Sequence, residues 1–304
     1  MAAFGPTDIG DQSGRSFVVT GANSGLGFET ARQLAGHGGR VLLTTRSEAK
    51  GREAVARIWA EFPGALIEHR LLDLADLDSV RAFASSLLAA GGAPDVLVNN
   101  AGVMFPPRVL TSQGNESQFA TNHLGHFALT GLLLDAIRQG GDARVVTVAS
   151  LEHKGGSIHF GDLSGERSYS PGAFYRQSKF ANVVFALELD RRLRAAGVPV
   201  RSILAHPGWT ATNLQTSGPT GVVRTLMRVG NAVLAQGVGT GALSQIYAAV
   251  SPSAEGGRFY GPRGPGELRG LPREVQPVAA ARNPETARRL WEISEELTGV
   301  VYRL

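Results

Sequence analysis

Residues 17–27 read Phe17-Val18-Val19-Thr20-Gly21-Ala22-Asn23-Ser24-Gly25-Leu26-Gly27, and the helical pattern FETARQLAGHG follows at once. A short apolar run thus meets a turn nearly free of side chains and then a helix start. That order brings bare backbone N–H groups to the positive end of a helix, an arrangement suited to holding a pyrophosphate. On this basis Gly21 makes the turn, Gly25 admits a phosphate and Gly27 lets the helix lie close on the strand. Asn23, Ser24 and Leu26 complete the loop. The plain alternative is a tight strand-to-helix turn without a ligand; three ordered glycines at one junction favour the nucleotide.

The same alternation continues outward. Apolar runs at Val41-Leu42-Leu43, Leu66-Ile67, Val96-Leu97-Val98, Val145 to Val148 and Val200 to Leu204 lack strict polar alternation, as strands buried on both faces do. Helical patterns lie between them near 25–36, 48–61, 77–90, 113–139 and 172–196. The expectation is an α/β chain with a Rossmann-type doubly wound parallel sheet in three α/β/α layers. A single domain over 1–304 is expected, with 1–13 as an N-terminal tail. Residues 213–237 form an apolar amphipathic pattern broken by Gly230 and are expected to be a helical lid. A helix near 239–250, a Gly/Pro/Arg-rich stretch over 256–272 and a last helix from Pro284 follow.

Composition narrows the function. With 304 residues and 43% apolar side chains there is material for a large core, and the absence of cysteine excludes disulfides, cysteine metal sites and a cysteine nucleophile. The formal charge is +4, carried by interspersed arginines and by lysines only at Lys50, Lys154 and Lys179. Without a basic cluster, nucleic acid is not an expected partner. No signal peptide and no apolar run of membrane-spanning length is visible, so the expectation is a cytoplasmic protein without an integral membrane segment.

Tyr175-Arg176-Gln177-Ser178-Lys179 places a phenol and an ammonium at i and i+4 on one helix face. A tyrosine is a poor base near neutral pH, and a neighbouring ammonium favours its phenolate, so the pair can move a proton that neither moves alone. Ser150 ends the fifth apolar run in Val-Val-Thr-Val-Ala-Ser, at the carboxyl edge of the expected sheet, where ligands bind. Ordinary capping by Ser150 is the alternative.

These motifs, in this order, resemble the short-chain dehydrogenase/reductase family: the Thr-Gly-x-x-x-Gly-x-Gly turn, Asn99-Asn100-Ala101-Gly102 after the fourth strand, and Tyr-x-x-x-Lys. The resemblance implies an NAD(P)-dependent oxidoreductase acting on a small-molecule alcohol or carbonyl. It implies Tyr175 as general acid/base, Ser150 as hydrogen-bond partner of the substrate oxygen, and Lys179 on the nicotinamide ribose. Asn122, in Thr-Asn-His-Leu-Gly-His-Phe, would hold a water that relays protons towards Lys179; helix packing is its alternative. Asp73 and Leu74 would contact adenine, although Asp73 also reads as a helix N-cap. Asn99, Ala101 and Gly102 would line the cofactor cleft, and Pro207, Gly208 and Thr212 would lie along the nicotinamide.

Thr45 stands where an acid often holds the ribose hydroxyls, and Arg46 follows it, which favours NADP (NADPH) over NAD. A solvated arginine is the alternative. The long Ser150–Tyr175 connection resembles the retinol-dehydrogenase-like branch, and Met104, Phe105 and Trp209 with the 213–237 segment suggest a bulky hydrophobic substrate. Packing of that segment on the domain or on a partner subunit is the alternative, and a homo-oligomer is compatible with the resemblance. His123, His126 and His153 suggest no closed metal site. A catalytically idle NADP(H) sensor on the same fold is the competing function; it would need the cleft but not Ser150, Tyr175, Lys179 and Asn122.

Overall fold

The computed structural model describes residues 3–210 and 236–304. Thr212 and, but for Gln236 and Gly237, the segment expected as a lid lie outside the described residues. Eight strands form one sheet: β1 (Ser16–Val19), β2 (Arg40–Thr45), β3 (Ile67–Leu71), β4 (Val96–Asn99), β5 (Arg144–Val148), β6 (Arg201–Ala205), β7 (Phe259–Pro262) and β8 (Pro272–Val275). Their order is β3-β2-β1-β4-β5-β6-β7-β8. All pairings are parallel except β7 with β8.

Among the described residues the α-helices are α1 (Gly25–Gly36), α2 (Glu48–Glu61), α3 (Leu77–Ala89), the short α4 (Ser117–Phe119), α5 (Gly125–Ile137), α6 (Pro171–Ala195), α7 (Val238–Val250) and α8 (Pro284–Thr298). The period-2 geometry of β1 shows why its run is apolar throughout. Phe17 and Val19 join Leu34 of α1, Ile58 of α2 and Ile246 of α7 on one face. Val18 faces the other way, into the core formed with Val80 of α3, Phe127 of α5 and Leu189 of α6. Both sheet faces are therefore roofed by helices, giving three α/β/α layers.

Two elements differ from expectation. The helix expected over 113–139 starts at Ser117 and widens into a π turn over Ala120–Leu124 before α5. The Gly/Pro/Arg-rich stretch holds β7 and leads directly into β8, whose Phe-Tyr-Gly-Pro and Pro-Arg-Glu-Val sequences are too short and too rich in Pro and Gly to show a strand pattern. Near the amino end, Phe4 and Ile9 are buried, and Phe4 meets Tyr247 edge-on at 5.1 Å. No helix among the described residues is long and apolar enough to cross a membrane.

The strand order reverses between β1 and β4. Outside the carboxyl ends of such a pair lies the crevice in which doubly wound sheets bind ligands. The turns after β1 and β4 are the two glycine-bearing motifs already quoted.

Candidate active site

A cleft of about 720 Å³ opens at this switch point. Its walls include Gly21, Asn23, Ser24, Gly25, Leu26 and Gly27 from the first turn, Arg46 after β2, and Asp73 and Leu74 after β3. Ala101 and Gly102 join it after β4. Gly21 has φ of +64°, and a Cβ there would stand 2.8 Å from the Ala101 side chain. A Cβ on Gly27 would collide with the Asn100 amide and, at 2.7 Å, with the Gly21 carbonyl. The backbone is thus drawn in as tightly as glycine permits. Ser24 precedes α1 without a side-chain cap, so the first N–H groups of the helix are left for a ligand in the cleft. Arg46 is exposed on the rim, and among the described residues it makes no ion pair. An uncapped helix start and bare glycines beside a guanidinium fit a dinucleotide.

Asp73 is not a helix cap. Its Oδ1 accepts from Ala75 N at 2.9 Å, and α3 is capped by Asp76, which accepts from Asp78 N at 3.0 Å. Asn99 points into the core, where it is fully buried and its amide donates to Thr130 at 3.0 Å; the cleft is lined by Asn100 instead.

Asn100 and Ala101 are fixed by a residue that the motifs did not single out. Thr20 Oγ1 accepts from both their N–H groups at 2.9 Å, and the Asn100 amide donates to Thr20 O at 2.7 Å. His126 stands behind Thr20. Its Nδ1 lies 3.0 Å from the Asn122 carbonyl, which can only accept, so Nε2 is left bare to accept from the Thr20 hydroxyl at 2.8 Å. Burial draws the His126 pKa down to about 4, in keeping with that neutral ring. The signal for both residues was their place in the motifs, Thr20 opening the glycine turn and His126 four residues after Asn122.

The phenol and ammonium sit beyond Gly102. A methyl group there would lie 3.3 Å from Asn122 Oδ1 and 3.5 Å from Lys179 Nζ, so this bare position is where the cleft meets those two side chains. Lys179 is buried on α6, donates to the Val148 carbonyl at 3.2 Å, and lies 6.0 Å from the centre of the Tyr175 ring. Tyr175 is buried too, and its phenol lies near enough to the Ser150 hydroxyl for the two to interact. Burial pushes its pKa up to about 12, opposed by the Ser150 hydroxyl and reinforced by Glu152. Burial alone draws Lys179 down to about 8.

Ser150 opens a 3-10 turn, accepting from Glu152 N at 3.3 Å, and its carbonyl accepts from His153 Nδ1 at 2.6 Å. Asn122, in the π turn, clamps Val103 from both sides. Its Oδ1 accepts from Val103 N at 2.8 Å, and Nδ2 donates to Val103 O at 3.0 Å and to Ser178 Oγ at 2.9 Å. Phe105 follows with φ of +58°, its N–H held by Gln118 at 3.0 Å and its ring edge-on to Tyr175 at 5.3 Å. Pro207 and Gly208 leave β6 on the other side. The Pro207 carbonyl accepts from Thr210 Oγ1 at 2.9 Å and Gln236 Nε2 at 2.6 Å.

Among the described residues no three His, Asp or Glu side chains gather as a metal site. His123 meets Ser294 at 2.8 Å, and His126 and His153 are bonded as described.

A family model described as short chain dehydrogenase matches residues 15–221. Polyprenol dehydrogenase of Mus musculus is 42% identical over 302 residues, covering 97% of this chain and 87% of that protein. Retinol dehydrogenase 14 of the same species is 39% identical, covering 98% and 90%. A crystal structure from Mycobacterium paratuberculosis, 40% identical, superposes with a TM-score of 0.82 and covers all of both chains. An actinorhodin polyketide ketoreductase solved with NADPH shares the fold at a TM-score of 0.63 and 24% identity, over 82% of this chain and 96% of its own.

Proposed function

This chain belongs to the short-chain dehydrogenase family and is an NAD(P)-dependent oxidoreductase acting on alcohols; we propose that it uses NADP(H) and interconverts a bulky hydrophobic alcohol with its carbonyl compound. The observation that carries this proposal is the buried Tyr175 phenol beside the Ser150 hydroxyl, with the buried Lys179 one helical turn on and a glycine-lined cleft nearby.

When bound, the nicotinamide supplies or accepts the hydride. The glycine turn and the start of α1 would hold the pyrophosphate, Asp73 and Leu74 would meet the adenine, and Arg46 would pair with the ribose 2′-phosphate. Lys179 would bind the nicotinamide ribose, and Pro207 and Gly208 would flank the ring. Ser150 donates to the substrate oxygen. In carbonyl reduction Tyr175 delivers its proton to that oxygen, and the Lys179 ammonium steadies the phenolate left behind. Asn122 stands at the inner end of this relay, beside Lys179, where a water it holds would return the proton. A molecule that only sensed the nucleotide would have no use for these four side chains. The protein acts alone or as a homo-oligomer, without nucleic acid.

Met104 and Phe105 give the substrate side an apolar wall, with the Phe105 ring against Tyr175. Relatives named for polyprenol and retinol point the same way, to isoprenoid-like alcohols. Purified protein assayed with NADPH and NADH against short and long alcohols, aldehydes and ketones tests the proposal. Turnover with NADPH and long apolar substrates supports it; a preference for NADH or for small polar substrates refutes the corresponding half.

A further inference from the structure

Among the described residues, two that are not glycine adopt clearly positive φ, Phe105 at 58° and Glu267 at 60°. Such backbone is costly and persists where its surroundings over-determine it, often at functional sites. Phe105 lies against Tyr175. Glu267 ends the 3-10 turn Pro265–Glu267 between β7 and β8, outside both the cleft and the relay.

Its carboxylate reaches two places at once. Oε2 faces His206 Nε2 at 3.1 Å and Oε1 accepts from Lys154 Nζ at 3.0 Å. His206 is fully buried at the end of β6, and its Nδ1 accepts from Gly208 N at 3.2 Å. That bond leaves the proton on Nε2, so His206 donates to Glu267. The backbone repeats the link: Trp209 N donates to Leu268 O at 2.8 Å, and a Cβ on Gly208 would collide with the carbonyls of Glu267 and Leu268. Lys154 follows His153, whose Nδ1 donates to the Ser150 carbonyl. The Phe259 ring joins the two histidines, meeting His206 at 5.1 Å and His153 at 5.4 Å.

We propose that Glu267 is a positioning residue for hydride transfer. One carboxylate oxygen holds Pro207–Gly208 through His206, and the other holds the Ser150 turn through Lys154, which sets the nicotinamide face against the reacting hydroxyls. The proposal rests on the assignment, made above, of Pro207 and Gly208 to the nicotinamide and of Ser150 and Tyr175 to the substrate oxygen. His206 and Lys154 hold the Glu267 carboxyl down at about 2, so the clamp stays charged throughout the working pH range. Lys154 is partly exposed, and its ion pair alone is worth little; the contact to buried His206 carries the effect.

The test uses the full-length protein with NADPH and two variants. Glu267→Gly removes the carboxylate and relieves the backbone, whereas Glu267→Gln keeps an acceptor for His206. In Glu267→Gly, kcat falls about ten- to a hundredfold, the cost of a small misplacement of reacting groups. The emission of bound NADPH also moves towards that of the free nucleotide. Affinity for adenosine 2′,5′-bisphosphate, which reports only the adenosine end, stays within about twofold. Glu267→Gln restores most of kcat. Wild-type kcat and emission in Glu267→Gly, a parallel loss of bisphosphate affinity, or a Gln variant as slow as the Gly variant would each overturn the proposal. Failure of the wild type itself to turn over NADPH or to change its emission is seen before any variant is made. That result overturns the site assignment and this proposal with it.

Discussion

Tyr175 and Lys179 are pulled by burial in opposite chemical senses, the phenol up to about 12 and the ammonium down to about 8. Both shifts disfavour the charged form. Carbonyl reduction needs Tyr175 protonated and Lys179 charged, so in the free enzyme kcat/KM should be level below pH 8 and fall above it as Lys179 loses its proton. A reduction profile that rises through pH 8 contradicts this assignment. The same shift bears on stability. The folded Lys179 value lies below its ordinary 10.5, so between about pH 8 and 10.5 the unfolded chain binds the extra proton. This group's cost to folding is therefore full below pH 8 and is relieved as pH rises through that window. Lys179→Met should abolish turnover at neutral pH while raising Tm by about a few degrees, read by thermal melting; an unchanged or lower Tm would refute the burden assigned to this lysine. At the other end of the cleft, Arg46→Ala should weaken NADPH about ten- to a hundredfold and NADH much less, by titration. Equal losses would refute the NADP assignment.

At the scale of elements, the glycine turn was legible because the physical demand is local. Gly21 and Gly27 are needed by contacts within β1, α1 and the turn after β4. Gly27→Val should collide with Asn100 and the Gly21 carbonyl, costing about 1–3 kcal/mol of stability together with nucleotide binding. A variant that melts and binds like the wild type would show that this close packing is unnecessary. The Tyr175–Lys179 spacing was legible for the same reason, since four residues on a helix fix a geometry. β7 and β8 were not, because Tyr260 and Val275 owe their strand conformation to β6 and to each other's strands rather than to a local pattern. Nor was the π turn at Asn122, which widens a helix whose sequence looks regular. The roles of Thr20, His126 and Glu267 were not legible, because they are set by partners far along the chain, which no spacing rule reports.

For the whole molecule, the reversal of strand order between β1 and β4 explains how residues from four separate segments meet. The cleft collects backbone from the turns after β1 and β4, while Ser150 after β5 and Tyr175 on α6 carry the proposed proton chemistry. The cleft and the relay meet at Gly102, and so the bare positions of the nucleotide loop and the single buried lysine of the relay belong to one site. A site walled by Met104 and Phe105 should show kcat/KM increasing with the apolar length of primary alcohols; a flat or falling series contradicts the substrate class. The most direct measurement compares the wild type with Tyr175→Phe by following nicotinamide absorbance during turnover and by titrating NADPH. The account predicts a loss of turnover of about 10²–10⁴-fold with NADPH affinity retained. Turnover surviving in Tyr175→Phe would contradict it.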